Sequence, residues 1–199
     1  LASRAVFYLA VVLSIAIWAY NLLFKKRYFA GPFCMGLCRG FSFLIGVATV
    51  SWHTGTVPVF LGIVAYIFFV TRIAESENRR QVPNARVFLP LASFFLAWLL
   101  TVPFLIYYRQ QISSASLVLS ALCFIMSILA VGLAALKVYN RSVGPDGMRG
   151  LISSLLRALL PWQAAWVVLF PSAWTVVAML IILIFWPLTI LLNKEFSQS

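Results

Sequence analysis

Apolar residues fall along this chain in blocks of about twenty, at about 5–24, 33–51, 57–72, 87–108, 114–136, 151–170 and 173–192, with short polar stretches between them. A block of that length is what an α-helix needs to cross roughly 30 Å of hydrocarbon. In lipid only helices or a closed barrel satisfy their own backbone groups, and these blocks lack the period-two alternation of barrel strands. The expected fold class is therefore all-α, a polytopic transmembrane bundle of about seven helices, with the 57–72 run the shortest. The longest polar stretch, residues 75–86, is too short to separate domains, and no internal repeat is visible. Residues 1–199 read as a single transmembrane domain.

The polar positions give an orientation. Lys25, Lys26 and Arg27 fill the first loop, Arg72, Arg79, Arg80 and Arg86 the third, and Lys137, Arg141 and Arg149 the fifth, while Lys194 follows the last span. The intervening loops, around His53 to Thr56, around Arg109 and around Pro171 and Ser172, hold one cation among them. Cations alternate as serial crossing requires, and the positive-inside rule puts the basic loops and the C-terminus on the cytoplasmic side. The expected location is an integral, multi-pass position in a bacterial inner membrane.

Composition agrees with the pattern: 63% of residues are apolar and 10% charged, far from the make-up of a soluble domain. The formal charge of +11 is then a topology signal with attraction to anionic membrane lipid as a corollary. A nucleic-acid partner is excluded, because the cations are spread over short loops and no soluble basic domain carries them. Leu1 is not an initiator methionine and residues 1–5 lack a signal-peptide pattern, so the chain is expected to be a fragment lacking N-terminal helices.

Chemistry has few residues to work with. The acids are Glu75, Glu77, Asp146 and Glu195, and the one histidine is His53, which beside Trp52 reads as an interfacial residue. A His–Asp pair is not expected, with His53 and Asp146 on opposite faces, and no nucleophile elbow, zinc helix or Walker loop is present. Cys34, Cys38 and Cys123 are odd in number and lie in apolar spans, which indicates neither a disulfide framework nor a zinc site.

What remains is a constellation at one membrane face: Lys25, Lys26, Arg27, Arg39, Arg72, Glu75 and Glu77, with Tyr20 and Asn21 one turn inside. Arg39 stands about two turns into its span, and a charge at membrane depth is a functional hypothesis by default. A ring of cations below a helical cavity suits a phosphate or diphosphate whose hydrocarbon tail stays in the bilayer; the alternative is an ordinary positive-inside loop. Glu75 and Glu77 can place a hard cation such as Mg²⁺ through oxygen ligands, or pair with neighbouring arginines.

The order Y-N-L-L-F-K, a short loop, then G-P-F-C-M-G-L-C-R-G-F-S-F-L-I-G, from Tyr20 to Gly46, resembles the UbiA-type intramembrane prenyltransferases. From Ile63 to Asn193 the resemblance is one of layout. It implies a lipid-open helical cavity in which two aspartate-rich motifs hold Mg²⁺ and a prenyl diphosphate, and a prenyl group passes to an aromatic or other acceptor. Tyr20 and Lys25 then fall on the Tyr…Lys motif, Asn21 stands where relatives have Asp, and Arg39 falls on the arginine of the following helix. Tyr20, Lys25, Arg39 and Arg72 become the expected diphosphate-binding residues, and Glu75 and Glu77 the expected metal ligands. Tyr20, Phe41 and Tyr66 become expected channel-lining aromatics.

Two departures bear on activity. The first motif, N-D-x-x-D, has no counterpart before Tyr20, and the stretch T-R-I-A-E-S-E-N that stands for the second contains no Asp. Ionising a prenyl diphosphate requires that the departing negative charge be stabilised, so this stretch by itself is expected to be inactive. A second class stays open, a non-catalytic relative or transporter that binds or moves a lipid in the same cavity. Its supports are the missing Asp and the helix breaks at Pro58, Pro90, Pro103, Pro161 and Pro187. A structural membrane scaffold is the third reading.

Overall fold

The computed structural model describes residues 2–50, 55–77, 85–139, 145–169 and 174–196. His53, Arg79, Arg80, Arg141, Pro171 and Ser172 lie outside the described residues. Seven helices are found there and no strand: α1 Ala2–Ala19, α2 Ala30–Val50, α3 Thr56–Glu77, α4 Leu89–Tyr107, α5 Ser114–Tyr139, α6 Pro145–Val167 and α7 Thr175–Phe196. A π-helical turn, Tyr20–Phe24, prolongs α1, and a 3₁₀ turn, Ala85–Phe88, leads into α4. The all-helical expectation holds.

Among the described residues, five helices are long and apolar enough to cross a membrane: α1 with its π turn, α2, α3, α4 with its 3₁₀ turn, and α5. Of the other two, α6 carries more polar residues. In α6, Arg149, Ser153, Ser154, Arg157 and Gln163 interrupt the apolar residues and make the helix amphipathic. In α7, which runs Thr175–Phe196, Thr175–Thr189 is an apolar stretch, and the apolar sequence continues through Leu192.

The chain divides into two compact units, Leu1–Ile106 and Tyr107–Ser199. In the first, α3 is the central helix. Val59, Ile63, Val64, Tyr66, Ile67, Val70 and Ile73 are buried, and α2 packs on it with Leu44, Val47 and Ala48. The approach is close because α2 offers Gly36 and Gly40, four residues apart on one face. A Cβ on Gly36 would lie 2.6 Å from the Val64 carbonyl oxygen, and one on Gly40 2.6 Å from the Phe60 ring. Small residues at this spacing let two helix backbones meet where lipid supplies no hydrophobic drive. Tyr66, fully buried, stacks on Phe94 with centroids 4.3 Å apart and ties α4 to α3. α1 lies at the rim, joined to α2 by the Cys34 thiol, which donates to the Ala16 carbonyl at 3.3 Å.

In the second unit the Ser113 hydroxyl accepts the Ser116 N–H at 3.0 Å and caps the start of α5. Pro145 opens α6, where its missing N–H leaves no helical bond unmade. Cys123 in the first half of α5 packs with Ala164, Ala165 and Val168 at the end of α6 and with Met179 at the start of α7. With short connections between them, α5, α6 and α7 therefore run alternately up and down.

Candidate functional site

Tyr20, Lys25, Lys26 and Arg27 lie where α1 turns into α2, and Arg72 reaches the same turn. The chain Tyr20–Phe24 winds as a π turn, and the Lys25 N–H donates to the Tyr20 carbonyl five residues back at 2.8 Å. The wider turn re-aims the residues after it, and such turns recur at functional sites. The chain then bends through residues 25–29. The Arg27 N–H reaches the Phe24 carbonyl, and the Gly31 N–H reaches the Arg27 carbonyl. Gly31 is required at the exit, since a Cβ there would meet the Phe24 carbonyl oxygen at 2.8 Å.

Arg72, near the end of α3, fastens this turn from the side. Its guanidinium donates to the Tyr28 carbonyl at 3.0 Å, lies 3.4 Å from the centroid of the Tyr28 ring, and forms an ion pair with Glu75 one turn on. The Phe29 ring is 5.4 Å away. A guanidinium flat on an aromatic face combines dispersion with attraction to the ring quadrupole. Its main contacts are thus with the turn and with Glu75.

Lys25, Lys26 and Arg27 are exposed, and their side chains have no hydrogen-bond or ion-pair partner among the described residues. Each of three neighbouring cations without carboxylates can gain by meeting an oxyanion, and none has an internal partner among the described residues to give up. Leu22, Leu23 and Phe29, all exposed, flank them with apolar surface.

Arg39 stands apart. Nine residues into α2, about 14 Å along the axis from Ala30, it lies on an exposed flank beside Ser42 and likewise has no partner among the described residues. Tyr20 is half-buried in the π turn. Lys25, Tyr20, Arg72 and Glu75 are thus brought to one end of the first unit. Arg39 is a separate cation further along α2.

The metal expectation fares differently. The Glu75 carboxylate is taken by Arg72, and the side chain of Glu77, at the end of α3, lies outside the described residues. Among the described residues no three His, Cys, Asp or Glu side chains gather. One carboxylate already neutralised by an arginine does not fit Mg²⁺, which takes near-octahedral oxygen ligands. Of the channel aromatics, Tyr66 is corrected: fully buried against Phe94, it is core packing. Phe41 is half-buried, 5.4 Å from the Phe60 ring.

Sequence reasoning passed over two features. It did not foresee the contact of Arg72 with Tyr28, because nothing local signals that a carbonyl and a ring 44 residues earlier engage this guanidinium. It also passed over Arg157, which sits inside the sixth apolar block and therefore outside the loops from which the topology was read. The chain matches no protein-family model, no curated protein and no solved structure.

Proposed function

We propose that this chain is the membrane-embedded part of a UbiA-like prenyltransferase that binds a prenyl diphosphate at the basic turn and passes the prenyl group to an aromatic or other acceptor. The observation that carries this reading is the run Lys25, Lys26 and Arg27, presented without internal partners just beyond a π turn built on the Tyr…Lys pair. In this reading Lys25 and Arg39 approach the diphosphate from two sides and balance the negative charge that grows on it as the carbon–oxygen bond breaks. The Tyr20 hydroxyl is a further donor. Arg72 acts through the turn, holding its backbone while the three cations stay free for the ligand. The prenyl tail lies along exposed apolar helix surface, and the basic turn faces the cytoplasm of a bacterial cell.

The test is turnover: the protein in nanodiscs, given a radiolabelled prenyl diphosphate, an aromatic acceptor and Mg²⁺, should release diphosphate. Lys25→Ala should lower that rate at least tenfold. Failure to consume any prenyl diphosphate, whatever its chain length, sinks the enzymatic reading.

One observation favours a second reading, a non-catalytic protein that binds or moves a lipid of this kind. Glu75, the acid at the turn, is neutralised by Arg72, so the described residues supply cations for an anionic headgroup and no metal ligand for its departure. Binding without turnover is its signature.

A further inference from the structure

An arginine in the middle of a helix that packs along an apolar neighbour needs an explanation that loop topology does not provide. Arg157 lies twelve residues into α6, about 18 Å along the axis from Pro145. It is half-buried. Its Nε donates to the Ser153 carbonyl at 3.1 Å and its Nη2 to the Ser153 hydroxyl at 2.8 Å, one turn towards the start of the helix. Both partners are neutral. A guanidinium carries five N–H donors, so three stay unused, and no carboxylate meets the charge among the described residues.

The direction of the side chain matters. By bonding Ser153, the guanidinium is drawn back towards the start of α6. Because α5 and α6 run in opposite directions, that end is level with the last turn of α5, where Lys137 is exposed. Arg149, also exposed, precedes Ser153 by one turn, so Arg149, Ser153 and Arg157 form one stripe at four-residue spacing, about 12 Å long. It is a ladder of donors leading inward from a basic end. A half-buried guanidinium with only neutral partners is stabilised by an oxyanion from outside, and bidentate oxyanions match its fork.

We propose that Arg157, Ser153 and Arg149 form a second anion site, independent of the basic turn, that takes a phosphate group entering from the end of α6 joined to α5. The shared chemistry is a phosphate oxyanion. Its sources are the headgroup of an anionic phospholipid, for which basic pockets between membrane helices are suited, or a soluble phosphate or diphosphate.

The experiment uses the full chain in neutral detergent. Thermal stabilisation and native mass spectrometry are read with phosphatidylglycerol, with phosphatidylcholine as control, and with inorganic phosphate and pyrophosphate. Wild type should be stabilised by phosphatidylglycerol or by the soluble anions, and whichever acts names the source. Affinity should fall at least fivefold in Arg157→Gln and by a smaller factor in Arg157→Lys, which keeps the charge and loses the fork. The variant Lys25→Gln/Lys26→Gln/Arg27→Gln should keep this site, which separates it from the basic turn. Should Arg157→Gln not fold, Ser153→Ala, which removes one hydroxyl, should still weaken binding about two- to threefold. Equal affinity in wild type and in both the Arg157 and Ser153 variants overturns the proposal. So does a wild type that none of the anions stabilises, which would mean that the charge is answered from within the protein.

Discussion

Removing the Arg72 guanidinium should loosen the turn that presents the three cations, and the size of the effect can be worked from its contacts. The side chain is 19% exposed and makes three interactions of different kinds. A charge-assisted bond to the Tyr28 carbonyl is worth about 1.5 kcal/mol, and the guanidinium on the Tyr28 face about 0.5–1 kcal/mol at a partly exposed site. The one-turn pair with Glu75, whose side chain is 35% exposed, adds about 0.3 kcal/mol after screening. Arg72→Ala should therefore destabilise by about 2–3 kcal/mol. Tyr28→Leu keeps the backbone carbonyl and loses only the ring, so it should cost about 1 kcal/mol. The two effects share one interaction, so the double variant should cost less than their sum by about 0.5–1 kcal/mol. Equilibrium unfolding in detergent micelles, run as a four-member cycle with wild type, measures this coupling. Additive effects within about 0.3 kcal/mol would refute the cation–ring clamp. The same variants should also weaken prenyl diphosphate binding, through the loosened turn.

Further outcomes follow from the packing. Gly36→Ala should destabilise by more than about 3 kcal/mol, because its Cβ meets a backbone carbonyl that cannot turn aside. Gly40→Ala should cost less, about 1–3 kcal/mol, because it meets the movable Phe60 ring and Val64 side chain; the order of the two in an unfolding titration is the check. Lys25→Gln/Lys26→Gln/Arg27→Gln should leave stability within about 0.5 kcal/mol, since no internal contact is lost. Its diphosphate binding should become weak and nearly independent of salt, where wild-type binding falls as salt rises. Trp166→Phe should cost under about 1 kcal/mol, far below the usual loss for a core tryptophan, because the buried Trp166 Nε1–H has no acceptor among the described residues and its removal offsets lost packing. A cost above about 3 kcal/mol in thermal unfolding would show that the indole N–H is satisfied.

The helices were legible in the sequence because membrane-length apolar blocks allow little else, and each expected block holds one of the seven helices. Their ends were less legible. The third block stops at Arg72 by hydropathy, yet α3 continues to Glu77, because a charge at a helix end can turn towards the turn beside it and pair one turn on. The first block reads as one helix, but its last residues form the π turn, which no periodicity announces. Of the site, Tyr20 and Lys25 could be read because they are neighbours in sequence. The Arg72–Tyr28 contact could not, since it depends on how α3 lies against a turn 44 residues before it. Arg39 was read from depth alone, and depth does not say which side of α2 it occupies. Arg157 was hidden for the opposite reason: its block is apolar enough to look like lipid-facing helix.

The most direct measurement is equilibrium binding of a radiolabelled prenyl diphosphate, with and without Mg²⁺, to the protein in nanodiscs, comparing wild type with Lys25→Ala and Arg39→Ala. Saturable binding that falls at least tenfold in both variants is the predicted result. Absence of binding in wild type, or binding unchanged by either substitution, would contradict a diphosphate site between the basic turn and α2.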